Sequence, residues 1–304
     1  MSYQKEVVPN NFCGIDGQSL GAAKVVILPV PYEGTVSYGS GTAKGPEAII
    51  QASRHMELYD IELGGENYHK PGVFTLKPLV VGSLQAEKMI EKVEKIYTEL
   101  VAKEKFVIML GGEHSISYAA DKPLREKYPD LSVLQWDAHA DLRDSWEGTK
   151  LSHACAMRRF YDHGKKIVQV GVRSMSIEEA EFIKKNKLEK NIFSSEKFGR
   201  TAEEKARAIK EILSRLSQNV YITIDLDGFD PSVLPATGTP EPGGLYWQDF
   251  LDLMAAVFQS KNVVGCDVVE LAPIKGQPAS DFLAALAAYK MIGYKYNYEK
   301  INFK

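Results

Sequence analysis

The chain of 304 residues contains few cysteines, no excess of basic residues and no long uncharged apolar run. Its three cysteines, Cys13, Cys155 and Cys266, are odd in number and far apart, which fits reduced thiols in a cytosol better than a disulfide framework. The net charge of −3 gives no sign of a basic nucleic-acid-binding surface, and no segment reaches the roughly 18 apolar residues of a membrane helix. Since no apolar signal-peptide segment follows the first residues, we expect a cytoplasmic protein without a nucleic-acid or membrane partner.

Apolar runs alternate with amphipathic segments along the chain, and 44% of the residues are hydrophobic. The segments 84–101, 202–216 and 247–258 have helical periodicity, and an Ala-rich helix is predicted over 281–296. This alternation is typical of a parallel sheet covered by helices. No linker or repeat divides the chain, so we predict one domain over residues 1–304. The predicted strands are 24–30, 72–76, 106–110, 132–136, 167–172, 191–193, 219–224 and 263–269.

Polar residues follow four of these strands at their carboxyl ends, which is where parallel sheets bind ligands. The sequence GGEHS, with His114, follows the strand at 106–110, and the acidic run 137–141 follows the strand at 132–136. Asp225 and Asp227 come directly after 219–224, and Glu270 follows 263–269. We expect the four clusters to converge if these strands are neighbours in the sheet.

The run from Trp136 to Asp141 carries three potential metal ligands at every second position. Asp137, His139 and Asp141 point to the same side as long as the chain stays extended. A buried strand that ends in three aligned polar side chains is costly unless something binds them. The alternative is a solvated loop in which these residues have no ligand.

Taken together, the candidate ligands are four carboxylates and two imidazoles, without a thiolate. Four carboxylates close together resist joint ionisation unless cations intervene, and two divalent ions would balance their four charges. Oxygen and imidazole ligands suit Mn²⁺, with Fe, Co or Zn as alternatives. Two such ions can lower the pKa of a shared water and supply hydroxide near neutral pH. The predicted ligands are His114, Asp137, His139, Asp141, Asp225 and Asp227.

A site of this composition favours a cationic substrate. Glu270 adds another carboxylate, so a planar guanidinium with several N–H donors fits the expected charge. Hydroxide attack on its central carbon, followed by loss of a protonated amine, would yield urea.

The motifs resemble those of the ureohydrolase family, which includes arginase and agmatinase. The resemblance extends over most of the chain, and the ordered set of motifs is far more specific than any one of them. The matching segments are GGEHS (111–115), DAHADLRD (137–144), SHACAMRR (152–159), IDLDGFDP (224–231), TGTPEPGGL (237–245) and DVVELAP (267–273), with PYEGTVSYGSGTAKGPEAI (31–49) as the N-terminal loop.

The resemblance implies a role for each predicted ligand. Asp137 and Asp225 would bridge two Mn²⁺ ions per subunit. The other ligands would be divided between the ions, with His114 and Asp141 on one and His139 and Asp227 on the other.

The resemblance also implies the catalytic residues. Glu270 would hold the substrate guanidinium, and His153 would act on bound substrate as an acid/base that exchanges a proton with the leaving amine or with water. Asp141 is a second candidate for carrying that proton. Ala154 stands where many relatives have glycine, which leaves the effect of its methyl group on His153 open.

The implied fold is the arginase-like three-layer α/β/α sandwich around a parallel sheet of about eight strands, assembled as a homotrimer or homohexamer. No Ser-Gly-Asn type loop for an α-amino acid precedes His153, so we expect a small-molecule guanidino-amine. The favoured reaction is agmatine to putrescine and urea, and the first alternative is N1-aminopropylagmatine to spermidine. Other guanidino acids rank lower, and Glu147 is a candidate partner for a distal amine.

Two other functions stay open at this point. A deacetylase of the same fold would use one zinc ion, and a non-catalytic relative would bind metal or a partner as a scaffold. Asp230 either builds a turn or orients the ligands, and Glu113 and Ser115 either support the ligands or cap a helix. The glycine-rich stretch 34–45 lacks a phosphate-binding pattern and is interpreted as a loop that lines the site.

Overall fold

The computed structural model of the chain describes residues 10–298. Eight strands form one sheet in which all neighbours are parallel, in the order β4-β1-β5-β10-β9-β6-β7-β8, and β2 and β3 form a separate antiparallel pair. The strands are β1 (Val25–Val30), β2 (Tyr59–Asp60), β3 (Gly65–Glu66), β4 (Val73–Thr75), β5 (Phe106–Gly111), β6 (Ser132–Trp136), β7 (Lys166–Val172), β8 (Ile192–Ser194), β9 (Asn219–Asp225) and β10 (Asn262–Val269).

The predicted parallel sheet is confirmed, and each predicted strand matches an observed one to within one residue at either end. The pair β2 and β3 was not predicted, because two residues per strand are too few to show a periodicity. The central strands are buried on both faces, which is why they are continuous Val, Ile and Leu runs in the sequence.

Helices cover both faces of the sheet. Alternate residues of β5 belong to different apolar cores: Ile108 and Leu110 to one, Val107 and Met109 to the other. This produces three layers, as the resemblance implied. The helices are α1 (Gly45–Ser53), α2 (Ala86–Ala102), α3 (Asp121–Lys127), α4 (Ala156–Asp162), α5 (Ile177–Lys185), α6 (Ser195–Phe198), α7 (Ala202–Arg215), α8 (Trp247–Ser260) and α9 (Ala279–Tyr298).

The four long helices α2, α7, α8 and α9 were predicted, whereas the shorter ones were not. A helix such as α3 or α4 has seven residues, which is less than the span needed to recognise a 3.6-residue period. Within residues 10–298, no helix has the length and apolar character needed to cross a membrane. The three cysteines are buried and free, as expected.

The strand order explains where the polar clusters meet. The strands β5, β10, β9 and β6 are consecutive in the middle of the sheet and run in the same direction. Their carboxyl ends therefore bring together the residues that follow them. The expected convergence of the four clusters is confirmed by this order.

Candidate metal centre

The carboxyl ends of the four central strands surround a cavity of about 230 Å³. His114 begins a short 3₁₀ helix two residues after β5, and Asp225 is the last residue of β9. Asp137 directly follows β6 and is fully buried. The predicted site residues that line the cavity are His114, His139, Asp141, His153, Asp225, Asp227 and Glu270.

Two groups of potential ligands share Asp137. One consists of His114, Asp137 and Asp225, and the other of Asp137, His139 and Asp227. Within each group the candidate ligand atoms lie within 4.8 Å of one another, which is close enough to surround one ion. This arrangement has room for two ions with Asp137 between them.

The imidazole of His114 has one nitrogen directed at carboxylates and the other at a hydroxyl. Its Nδ1 lies 2.9 Å from an oxygen of Asp141, 3.1 Å from Asp137 and 3.2 Å from Asp225. Its Nε2 lies 2.8 Å from the hydroxyl of Thr223, which itself donates to Asp267.

These contacts indicate that a cation belongs among the carboxylates. Because the Thr223 hydrogen is used on Asp267, the Nε2 of His114 donates, and Nδ1 is the nitrogen available to a cation. This buried Nδ1 also has no hydrogen-bond partner of acceptable geometry. A nitrogen that faces three carboxylate oxygens needs a positive charge between them. Without metal this is a proton, since burial is outweighed by the three carboxylates, which hold the pKa of His114 well above its usual value, and a divalent metal would replace that proton.

His139 approaches the second group from the outer side. Its Nδ1 lies 2.9 Å from Asp227 and 3.7 Å from Asp137, and its Nε2 lies 3.7 Å from Glu241. A carboxylate behind the outer nitrogen of a metal-binding histidine orients the ring and strengthens the ligand. Glu241 is therefore well placed to support His139, although its motif was predicted only as part of the resemblance.

The buried acids have strongly shifted pKa values. Burial and then the charges of Asp227 and Asp137 hold the pKa of Asp225 well above its usual value. Burial and the charge of Asp137 raise the pKa of Asp141 to about 7. Burial lowers the pKa of His139, but Asp227 and Asp137 outweigh it and raise the value to about 12. Without metal, these side chains therefore bind protons strongly, and protons compete with metal ions for the same ligand atoms.

Two predicted site residues have a backbone conformation that is rare outside glycine. Asp141 has φ +52° and Glu270 has φ +65°, both in the left-handed region. Such conformations persist only where the surrounding structure enforces them, and they concentrate at functional sites.

The backbone at position 112 passes so close to Tyr32 that only glycine fits, because a Cβ there would lie 1.9 Å from the carbonyl oxygen of Tyr32.

Glu270 lines the cavity, and one oxygen of its carboxylate already accepts a hydrogen bond from the protein backbone. Its Oε1 accepts the backbone N–H of His114 at 2.7 Å. Within residues 10–298 it forms no ion pair with a lysine or arginine, so a structural salt bridge is not observed. Burial and the charge of Glu113 hold the pKa of Glu270 well above its usual value. A cationic group in the cavity would relieve this cost.

His153 lines the same cavity, and its side chain is hydrogen-bonded to the loop at 35–37. Its Nδ1 lies 3.2 Å from the hydroxyl of Thr35, and its Nε2 lies 3.3 Å from the hydroxyl of Ser37. Burial, and then the charges that His114 and His139 carry when protonated in the absence of metal, lower its pKa to about 4. The side chain is therefore neutral near pH 7 and able to accept a proton.

Comparison with known proteins identifies the family. The model of the arginase family matches residues 23–293. The chain belongs to the arginase family. This confirms the resemblance and the predicted class of enzyme, a ureohydrolase.

Named members of the arginase family are similar over most of their length. An N(1)-aminopropylagmatine ureohydrolase from Synechocystis is 39% identical over 282 residues, which cover 91% of this chain and 90% of that protein. An agmatinase from Bacillus cereus is 37% identical over a segment that covers 84% of this chain and 86% of that agmatinase. The crystal structure of agmatine ureohydrolase of Thermoplasma volcanium has a TM-score of 0.84 at 31% identity and covers 97% of both chains.

Some contacts in this arginase-family site were not predicted. Thr223 and Asp267 support His114 from within β9 and β10, and Gln135 donates to Asp137 from within β6. Each is a fully buried polar residue inside a largely apolar strand. That pattern is the signal in the sequence, because a buried polar group needs a partner.

Asp230 and Glu113 both hold loop backbone in place. Asp230 builds a turn by accepting from Ser232 and from the N–H of Gly244, so the turn interpretation is the observed one. Glu113 does not cap its helix; it binds the loop at 34–35 instead. That loop lines the cavity through residues 36–39, as predicted.

The structure also locates Ala154 and Glu147, whose roles the sequence left open. Ala154 lines the cavity beside His153, and its carbonyl accepts the N–H of Arg143 at 3.2 Å. Glu147 is exposed and is not among the residues that line the cavity. Its proposed contact with a distal amine has no support from this position.

Proposed function

We propose that this arginase-family enzyme holds two divalent ions, most simply Mn²⁺, and hydrolyses a linear guanidino-amine to urea and an amine. The observation that carries the proposal is the pair of ligand groups that share Asp137. It is supported by Nδ1 of His114, which lies within 3.2 Å of three carboxylate oxygens. The bound ions would supply hydroxide near neutral pH.

The other side chains have complementary tasks. Glu270 binds the guanidinium, because it is a carboxylate at the cavity without a cationic partner in the described part of the chain. His153 is neutral near pH 7 and transfers a proton to the leaving amine or from water. Asp141 lines the cavity 2.9 Å from Nδ1 of His114, and its role as a second proton carrier stays a prediction.

The substrate is proposed from the named relatives together with the site. Agmatine is the substrate that the motifs favoured. Relatives named N(1)-aminopropylagmatine ureohydrolase, from Synechocystis and Thermus thermophilus, are 37–39% identical over 90–91% of this chain, whereas the agmatinase of Bacillus cereus matches over 84%. This difference moves aminopropylagmatine ahead of agmatine in our proposal. One domain, a cytoplasmic location and a homotrimer or homohexamer also stay predictions.

The test is urea release from purified protein with Mn²⁺ across a panel of guanidino compounds. The panel contains aminopropylagmatine, agmatine, guanidinobutyrate, guanidinopropionate, arginine and formiminoglutamate. We expect the highest kcat/KM for aminopropylagmatine, then agmatine, and no product after chelation. No urea from any compound would overturn the proposal, and the highest kcat/KM for agmatine would restore the order of substrates that the motifs favoured.

A deacetylase predicts a different amount of metal. It would bind one tight ion per chain, whereas the two groups around Asp137 predict two. All six predicted ligands and Glu270 are present, which also disfavours a non-catalytic scaffold. Metal content per chain, measured by elemental analysis after gel filtration, separates one ion from two.

A further inference from the structure

A chain of hydrogen bonds connects Glu113 to His153 through Thr35. The hydroxyl of Thr35 donates to Oε1 of Glu113 at 2.5 Å. The same oxygen of Thr35 lies 3.1 Å from the backbone nitrogen of His153 and 3.2 Å from its Nδ1. Glu113 precedes a predicted metal ligand and Thr35 belongs to the loop that lines the cavity. These hydrogen bonds therefore connect three separate segments of the protein.

The direction of each hydrogen bond follows from the donors and acceptors present. Glu113 receives the N–H groups of Gly34 and Thr35 on one oxygen and the hydroxyls of Thr35 and Ser115 on the other. A protonated carboxyl would have to give up one of the four bonds, so the ionised form fits all of them.

The Thr35 oxygen can then only accept from His153. Its one hydrogen is used on Glu113, so both contacts with His153 require a hydrogen on the nitrogen. A neutral imidazole carries one hydrogen, and the contact places it on Nδ1. Nε2 therefore keeps its lone pair and accepts from the hydroxyl of Ser37, which lines the cavity.

We propose that Thr35 and Glu113 are positioning residues that hold His153 in the tautomer with hydrogen on Nδ1 and an unprotonated Nε2. This inference rests on the proposed function, because it explains how the acid/base of that reaction is prepared. When Nε2 takes up a proton, the ring becomes positive, and the carboxylate of Glu113 lies one hydroxyl away to stabilise it. The proton moves between Nε2 and the reacting nitrogen or water, while the bonds of Nδ1 and Thr35 stay unchanged.

A spectroscopic experiment tests the tautomer without using catalysis. The full chain is labelled with ¹⁵N-histidine, loaded with Zn²⁺ as a diamagnetic ion, and examined by NMR. The signals of His153 are identified by their loss in His153→Ala. We expect hydrogen on Nδ1 in the wild type, a shift toward hydrogen on Nε2 in Thr35→Val, and the wild-type pattern in Thr35→Ser. A wild-type His153 with hydrogen on Nε2 would overturn the proposal even if neither Thr35 variant folds.

Ser115→Ala is the matched control for Thr35→Val. Both variants remove one hydroxyl donor from Glu113, but only Thr35 touches His153. We expect Ser115→Ala to keep hydrogen on Nδ1. If both variants change the tautomer equally, the effect comes from disturbance of Glu113 and its loop, and the specific role of Thr35 is wrong.

Kinetics provide the second readout. For Thr35→Val we expect kcat to fall roughly 10- to 100-fold, which is less than the roughly 10²- to 10⁴-fold that a general acid–base supplies. KM should change little and the acidic limb of the pH–rate profile should move, and Thr35→Ser should restore both. A Thr35→Ser enzyme as slow as Thr35→Val would contradict the inference. If the wild type releases no urea, the proposed function fails, whereas the NMR result still decides the tautomer.

Discussion

Nε2 of His114 lies 2.8 Å from the hydroxyl oxygen of Thr223, on the nitrogen opposite the carboxylates. Thr223 donates in turn to Asp267 at 2.6 Å, and the other oxygen of Asp267 accepts from Tyr221. This buried series of hydrogen bonds determines which nitrogen of His114 faces the predicted ions. Bonds of this kind fix the orientation of metal-binding histidines and raise their basicity.

Replacing Thr223 with valine should weaken metal binding without removing a ligand. The variant keeps the shape of the side chain but leaves Nε2 of His114 without its acceptor, so the ring is free to turn. We expect the affinity for one of the two ions to fall roughly 10- to 100-fold. The measurement is competition with a chelating dye, and Thr223→Ser should keep the wild-type affinity. Equal affinities of valine and serine variants would show that the hydroxyl has no such role.

Asp225→Asn should strongly reduce the metal that survives dialysis. The substitution replaces a carboxylate that lies 3.2 Å from Nδ1 of His114 with a neutral amide, which is a poor ligand for a divalent ion. Asp230→Asn is a matched control, because Asp230 only builds a nearby turn. Elemental analysis should give about two ions per chain for the control. Two retained ions in Asp225→Asn would contradict a bridging role.

Glu270→Gln should impair guanidinium binding and leave the metal content unchanged. A hydrogen bond to a charged group contributes about 1.5–3 kcal/mol, so we expect kcat/KM to fall roughly 10- to 150-fold. Glu178→Gln, at an exposed position in the first turn of α5, is the control for loss of one negative charge. The experiment measures urea release and metal content on the same preparations. A wild-type kcat/KM in Glu270→Gln would remove this residue from substrate binding.

The strands and ligand positions were predictable because their signals are local. A strand buried on both faces must be continuously apolar, as β5 is, and the spacing of two at Asp225 and Asp227 marked the ligands. The extended backbone assumed there was wrong, because Asp227 lies in a short 3₁₀ helix, Leu226–Gly228. The convergence of the four clusters could only be stated conditionally. It depends on the pairing of β10 between β5 and β9, and the neighbours of a strand are not written in its own residues.

The supporting contacts could not be predicted for the same reason. Thr35 and His153 are 118 residues apart, and Thr223 and His114 are 109 apart, so no local pattern joins them. The left-handed backbone at Asp141 and Glu270 is imposed by the surrounding structure and not by residue type. The sequence therefore predicted which side chains gather, whereas the structure reveals what orients them.

Removing the metal should reverse the pH dependence of stability in this protein. Without a cation, Asp141 keeps its proton in the folded state up to a pKa of about 7, whereas its ordinary value is 3.8. The raised pKa of Asp225 acts in the same direction, and so does that of His139, at about 12 against an ordinary 6.5. Between pH 5 and 8 the folded chain thus binds more protons than the unfolded chain, and rising pH favours unfolding.

The expected slope is about 1.4 kcal/mol per pH unit for each such group, within the window between its two pKa values. Bound Mn²⁺ replaces these protons, so the stabilisation by metal should increase as pH rises from 5 to 8. Urea or thermal denaturation at several pH values, with chelator and with excess Mn²⁺, measures both curves. Two lowered pKa values have the opposite sign. That of Asp137 acts only below its ordinary 3.8, outside this range, whereas that of His153, about 4 against an ordinary 6.5, offsets one group below pH 6.5. Parallel curves with and without metal would contradict the assignment of these carboxylates as ligands.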